Sequence, residues 1–210
     1  MSDSRKVPVP AARLPRWFEN FARRHGSARL DVVEGRLVAR AADGAVAEAA
    51  LPFGREYDGP ADALAFAAEV EAPDRWGILL VRKGGFAVAA LSGSAVIGSK
   101  VGQRHVQGRT KAGGQSQQRF ARRRDNQARQ AYEAAADHAN RILLTDGVPL
   151  EALVCGGDRS AVDVVLADPR LGEARTVRRE PWLAVPDPRR AVLDAAIADA
   201  CSAWVTVTEP

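Results

Sequence analysis

The sequence predicts a mixed α/β fold of the α+β kind, in which one sheet carries packed helices. Three observations carry that reading. Residues 75–101 hold the apolar runs RWGILLVRK, GFAVAAL and AVIGSKV, separated only by Lys83-Gly84-Gly85 and Ser92-Gly93-Ser94; spacings this tight imply an antiparallel meander. Residues 150–210 alternate instead between strand and helix patterns, which places helices on a sheet. Between the two regions, residues from about 116 to 144 read as one long helix.

Each element has its own signal. RLPRWFENFARRHG forms a short amphipathic helix with Trp17, Phe18 and Phe21 on one side, stopped by Gly26. RLDVVEGRLVARAADGAVAEAALPF contains apolar runs split by Glu34-Gly35 and Asp43-Gly44. Those pairs are hairpin turns, so up to three short strands are expected. Residues 60–72 are alanine-rich and helix-like. In the long helix the apolar repeat occupies only the second half: Ala128, Ala131, Tyr132, Ala135, Ala139, Ile142 and Leu143. A helix striped at one end docks at that end, and its first two turns should project. LEALVCGG then reads as a strand, and DRSAVDVVLADP as a helix capped by Asp158. ARTVRRE is a candidate short strand, DPRRAVLDAAIADACSAW a helix, and WVTVTEP a terminal strand or tail. Residues 1–12 are proline-rich and expected to fray, leaving 13–210 as one domain.

Composition excludes several classes. Hydrophobic residues make up 46% and charged residues 27%, as in a soluble globular chain rather than a disordered one. No run of eighteen apolar residues could span a membrane, and MSDSRKVPVP lacks the apolar core of a secretory signal. The protein is therefore expected in the cytoplasm, off the membrane, as a monomer. Cys155 and Cys201 have no ligand-like spacing, so buried reduced thiols are expected, with no metal site and no cofactor.

The net charge of +4 hides a dipolar distribution. Residues 100–130 hold nine basic residues (Lys100, Arg104, Arg109, Lys111, Arg119, Arg122, Arg123, Arg124 and Arg129) against Asp125, a local charge of +8. The remainder has 21 basic against 25 acidic residues, or −4. A solvated helix face would intersperse glutamate with arginine, whereas residues 109–124 contain no acid. One cationic arm on a mildly acidic body points to a nucleic-acid partner.

At the tip of the arm stands AGGQS. Gly113 and Gly114 permit backbone conformations closed to other residues and let the main chain approach a substrate closely. Gln115 precedes Ser116, a good helix N-cap, so its amide is expected near the positive end of a helix dipole, where a developing oxyanion is stabilised. A carboxamide donates and accepts hydrogen bonds but removes no proton at neutral pH. Such a tip could orient a water and stabilise an oxyanion, with proton transfer left to another group. An ester with a hydroxyl leaving group on a nearby RNA meets those limits.

GGQSQQRFARRR closely resembles the signature of the eukaryotic and archaeal class I peptide-release factors. There Gly-Gly-Gln-Ser, two variable residues and Arg-Phe-Ala-Arg introduce a helix. Eight of ten positions agree: Gly113, Gly114, Gln115, Ser116, Arg119, Phe120, Ala121 and Arg122. The chain has no room for a decoding domain or a partner-binding domain, and no Asn-Ile-Lys-Ser-like element. It is more similar to the Vms-like release factors, including the actinobacterial peptidyl-tRNA hydrolases, which resemble the catalytic middle domain alone.

The resemblance implies an RNase H-like sheet, a protruding GGQ loop leading into the long helix, and hydrolysis of peptidyl-tRNA on stalled or split ribosomes without stop-codon reading. It implies that Gln115 is catalytic, with Gly113 and Gly114 shaping its turn and the ribose hydroxyl of the tRNA accepting the proton. Arg104, Arg109, Lys111, Arg119, Arg122, Arg123 and Arg124 would then neutralise rRNA of the large ribosomal subunit and the CCA end. Two rivals stand beside this reading: a nuclease that cuts the tRNA 3′ end, and a non-enzymatic ribosome-binding factor. Gln117 could share the role of Gln115, and His105 could touch RNA. CGGDRS, at 155–160, lacks the Lys-Ser/Thr pair of a phosphate loop and is expected to be a strand-to-helix turn.

Overall fold

The computed structural model of the chain describes residues 4–103, 115–144 and 147–210, with the side chains of 103 and 115–128 outside that set. The chain divides into two compact units, 1–72 with 197–210 and 73–196, where the sequence suggests one domain over 13–210. Each has its own five-stranded sheet.

In the first unit the sheet order is β1 (Ser4–Val9), β10 (Ala203–Thr208), β4 (Val46–Ala50), β3 (Arg36–Ala41) and β2 (Ala28–Val33), antiparallel throughout. The β2–β3 turn has positive φ at both Glu34 (49°) and Gly35 (70°), the conformation whose twist suits a two-residue hairpin. Helix α1 (Leu14–Arg24) buries Leu14, Phe18 and Phe21, one residue per turn on a single face. Their burial stabilises the fold by roughly 1.5–3 kcal/mol per side chain. They meet Leu37, Ala47, Ala49 and Val205 in one apolar cluster, which Phe66 of α2 (Ala63–Ala68) joins. Asp62 caps α2, accepting from Leu64 N at 3.0 Å and Ala65 N at 2.8 Å. The helix is shorter than the alanine-rich stretch that announces it.

Two local expectations change and one alternative is decided. Residues 4–9 form a paired strand instead of fraying, with Pro8 opposite Trp204. An edge strand tolerates proline because one side of it needs no amide donor, and its partner lies at the far end of the sequence. Of the strand or tail expected for WVTVTEP, the structure has the strand, β10 ending at Thr208 and flanked by β1 and β4. ARTVRRE splits into a short helix α5 (Gly172–Thr176) and a strand β9 (Arg178–Leu183).

The second unit holds the meander. Its sheet runs β7 (Ala95–Gln103), β6 (Gly85–Ser92), β5 (Trp76–Arg82), β8 (Ala152–Gly157) and β9. The first three are antiparallel neighbours, and β5, β8 and β9 are parallel. The central strand β5 is buried from Trp76 to Val81, the near-continuous apolar run expected of a strand covered on both faces. Helix α3 (Gln115–Leu143) lies on β6 and β7 and packs against α4 (Arg159–Leu166). Helix α6 (Arg190–Ala200) begins two residues after Pro188, later than the sequence suggests, and leads the chain back to the first unit.

Candidate functional site

The arm grows from the sheet of the second unit by two limbs, the end of β7 and the start of α3. Gln103, the last residue of β7, pairs with Gly85 at the first position of β6. Next to it Gly102 lies so close to Phe86 that a Cβ there would come within 2.6 Å of Cζ, so any side chain at this position would force the Phe86 ring to move. Phe86 in turn stacks on His138 of α3, with ring centroids 5.6 Å apart and planes 28° from parallel. One phenyl ring thus holds both limbs at their root. His138 is held below the usual histidine range, first by burial and then by the charges of Lys100 and Arg141, so the stack contains a neutral ring at neutral pH.

On either side of this clamp α3 is seated by small residues. Ala135, Ala136 and Ala139 are buried and share a cluster with Val88 and Ala90 of β6, so the helix backbone can approach the sheet closely. Leu143 reaches over Gly77 of β5, where a Cβ would stand 2.6 Å from its Cδ2. On the outer side Arg170 bridges Asp137 of α3 at 2.8 Å and Asp168 at 2.7 Å. Its hydrogen bonds hold the Asp168 carboxyl down at about 2.

Above the clamp the helix continues without a break to Gln115. The 29 residues of α3 span about 43 Å at 1.5 Å per residue, and Gln115 stands about 25 Å along the axis from Tyr132. Tyr132 is the first large side chain that packs against the core among the described residues. Helical register puts positions 115, 119, 122 and 123 on one stripe, and position 124 about half a turn round.

Of the residues singled out in the sequence, Gln115 is the first of α3, and Arg119, Arg122, Arg123 and Arg124 follow on its backbone. The helix therefore starts one residue before Ser116, within the ordinary scatter of helix ends. Gly113, Gly114, Arg104, Arg109, Lys111 and His105 lie outside the described residues. Sequence reading missed the Gly102–Phe86–His138 clamp. VGQR looks like the start of a loop, and nothing local announces that β7 extends to Gln103.

The other candidates are structural. In CGGDRS the strand runs through Gly157, whose φ is +93°, and Asp158 caps α4 by accepting from Ser160 N at 3.1 Å and Ser160 Oγ at 2.7 Å. This is the expected strand-to-helix turn. Cys155 and Cys201 are free, and burial pushes their thiols up to about 12 and about 11, so neither is a nucleophile at neutral pH. His25 is buried at the end of α1 and hydrogen-bonds Asp43 Oδ2 at 2.8 Å, an interaction internal to the first unit. Among the described residues no group of histidine, cysteine and carboxylate side chains could hold a metal, and no helix is long and apolar enough to cross a membrane.

Comparison with known proteins bears on the same region. A model of the Actinobacteria/chloroflexi VLRF1 release factor family matches residues 74–206, more than half of the chain and nearly all of the second unit. No curated protein matches. Among solved structures, one described as an archaeal protein is 16% identical over 77% of this chain and 51% of its own, with a TM-score of 0.36. Pelota from Archaeoglobus fulgidus is 10% identical over 93% of this chain and 61% of its own, with a TM-score of 0.30. The chain spans between half and two thirds of the length of those proteins.

Proposed function

The chain belongs to the Actinobacteria/chloroflexi VLRF1 release factor family, and on that premise we propose that it hydrolyses peptidyl-tRNA to free nascent chains from stalled or split ribosomes, without reading a stop codon. The observation that carries this reading is the Gly113-Gly114-Gln115 triplet running directly into the N-terminus of α3. Gln115 is the catalytic residue in this proposal. Its backbone amide stands at the first position of a 29-residue helix, where the peptide dipoles favour negative charge.

The reaction adds one water across the ester. Water oxygen attacks the carbonyl carbon, and the carbonyl oxygen takes up negative charge in a tetrahedral intermediate. The bond to the ribose 3′-oxygen then breaks, and that oxygen takes a proton. The products are a peptide carboxylate, whose acid proton goes to solvent, and a tRNA with an intact 3′ end. The Gln115 amide stabilises the oxyanion or the departing 3′-oxygen, and its side chain positions the water. A carboxamide does not take the proton, so the acceptor in this proposal is a ribose hydroxyl of the tRNA. Gly113 and Gly114 keep the backbone bare where the CCA end approaches.

Arg104, Arg109, Lys111, Arg119, Arg122, Arg123 and Arg124 neutralise phosphates of the large-subunit rRNA and of the tRNA end. Such contacts position a protein without selecting sequence, which suits an enzyme that acts on every peptidyl-tRNA. The protein needs no cofactor in this scheme and works as a cytoplasmic monomer.

The test is to incubate purified protein with large subunits carrying a stalled peptidyl-tRNA and to analyse both products. Free peptide together with tRNA ending in intact CCA is expected. Peptide still joined to a nucleotide stub would identify a nuclease instead, and no release at any protein concentration would leave a binding factor.

A further inference from the structure

Where the arm leaves the second unit, three other segments turn at the same edge of the sheet. Gln103 pairs with Gly85, so the β5–β6 turn at Lys83-Gly84 lies beside the arm's exit. Gly157 and Asp158 pack against the same turn. The Asp158 amide donates to the Val81 carbonyl at 2.8 Å, and a Cβ on Gly157 would lie 3.0 Å from Arg82 Cγ. The segment after β9 passes there as well. Arg82 Nη1 donates to the Val185 carbonyl at 2.8 Å, and Asp187 Oδ2 lies 2.8 Å from where a Gly84 Cβ would stand.

These segments bring exposed cations together from distant parts of the sequence: Arg82 and Lys83, Arg159, Arg189 and Arg190. Two of them have structural work. Arg82 lies 3.6 Å from Asp187, and Arg190 binds Asp194 at 3.0 Å and Ser99 Oγ at 3.2 Å. Lys83, Arg159 and Arg189 form no ion pair within 4 Å among the described residues; the Asp158 carboxyl, held down first by its Ser160 hydrogen bond, also feels the Lys83 charge. Arg159 opens α4 and Arg189 immediately precedes α6. A cation gains nothing from the helix dipole at either place, so helix stability does not account for them. The Arg159 guanidinium lies 4.3 Å from the centroid of the half-buried Trp182 ring, a contact that holds it in place without neutralising it.

We propose that Lys83, Arg159 and Arg189 form a cationic collar at the root of the arm that binds backbone phosphates of an RNA strand, a contact separate from the arm itself. The proposal rests on the ribosomal reading only in taking RNA as the partner. The partner chemistry follows from continuity. The +8 segment begins at Lys100, an exposed residue of β7 three positions before Gln103, so the collar adjoins the start of that segment. A strand with a phosphate at every nucleotide matches cations spread in this way, because each phosphate neutralised releases counterions.

The experiment compares the full chain with Lys83→Gln/Arg159→Gln/Arg189→Gln and with Arg122→Gln/Arg123→Gln/Arg124→Gln. Affinity for purified large ribosomal subunits is measured over a salt series, and the melting temperature serves as the control for folding. The collar variant should keep the wild-type melting temperature. Its slope of log affinity against log salt should be shallower by about 2, at roughly 0.7–0.9 for each phosphate no longer neutralised, with binding weaker by about tenfold or more at moderate salt. An unchanged slope in the collar variant while the arm variant loses slope overturns the collar alone. Weaker binding at the wild-type slope also overturns it, because the interaction removed is then not with phosphate. Wild-type protein that does not bind large subunits at all overturns the collar and the proposed function together.

Discussion

The two halves of α3 share one secondary structure and are built on opposite principles. From Tyr132 to Leu143 the helix is defined by what it touches: Ala135, Ala136, Ala139 and Leu143 are all buried against the sheet. From Gln115 to Arg124 the sequence has Phe120 as its one large apolar residue, four arginines and no acid. Glutamine, arginine and alanine are good helix formers, yet the sequence sets Arg119 three and four positions before Arg122 and Arg123, spacings at which like charges on a helix repel. An isolated segment of that kind would be marginal in water. The packed half supplies the nucleus from which the charged half propagates. A helix anchored in this way can carry charge well beyond the sheet without a core of its own.

If the charged half divides further into a tip that reacts and a shaft that binds, substitutions should separate the two. The largest effect is expected at the tip. Gln115→Ala keeps the backbone amide and removes the carboxamide that positions the water, so it should lower the single-turnover release rate by about 10²-fold, the scale of loss when a reacting group is misplaced, with unchanged affinity for large subunits and an unchanged melting temperature. Release at the wild-type rate would remove Gln115 from the mechanism. The shaft should behave in the opposite sense. Arg122→Gln/Arg123→Gln/Arg124→Gln should weaken subunit binding by roughly ten- to a hundredfold at moderate salt and flatten its salt dependence by about 2 to 3. At saturating protein its release rate should be close to that of wild type.

Much of this division is visible in the sequence. The apolar repeat stops before Arg124, so both the docked end and the charged end of α3 can be read from spacing alone, and the glycine-rich turns delimit the meander strands. What the sequence hides depends on partners far away in the chain. Val7 and Val9 look like part of a proline-rich tail until β10 pairs with them, and β10 lies almost two hundred residues further on. Gly102 looks like a loop glycine until Phe86 closes over it. The proposed collar is invisible for the same reason: Lys83, Arg159 and Arg189 come to the end of the sheet where β7 closes only through the parallel pairing of β5 and β8 and the packing of the segment after β9 on the β5–β6 turn.

The docked half can be broken from inside. Ala139 is fully buried, and its small side chain belongs to the cluster that seats α3 on β6. Ala139→Leu adds volume where the interior is already close-packed and should cost about 1–3 kcal/mol of stability, read as a lower urea midpoint at constant m-value. If the lower half anchors the arm, hydrogen exchange in residues 115–130 should rise in the same variant. Exchange unchanged there, with stability lost, would mean that the upper half is held by contacts of its own.

The smallest effect concerns the clamp at the root. His138 stacks on Phe86, and its folded-state pKa lies below 6.5, first because burial disfavours the imidazolium and then because Lys100 and Arg141 repel it, with Asp137 opposing them. The unfolded chain therefore binds a proton at higher pH than the folded chain, and stability falls as pH drops through 6.5 towards the folded value. Below that value the loss is complete and constant. His138→Gln has no such titration, so its stability relative to wild type should improve as pH falls from 7 to 5. Half-exposed residues show such effects weakly, so the measurement is the difference in urea midpoint between the two proteins across pH. A constant difference would mean that the Phe86 stack accommodates the charged ring as readily as the neutral one. The joint between sheet and arm would then be no more sensitive to acid than the rest of the unit.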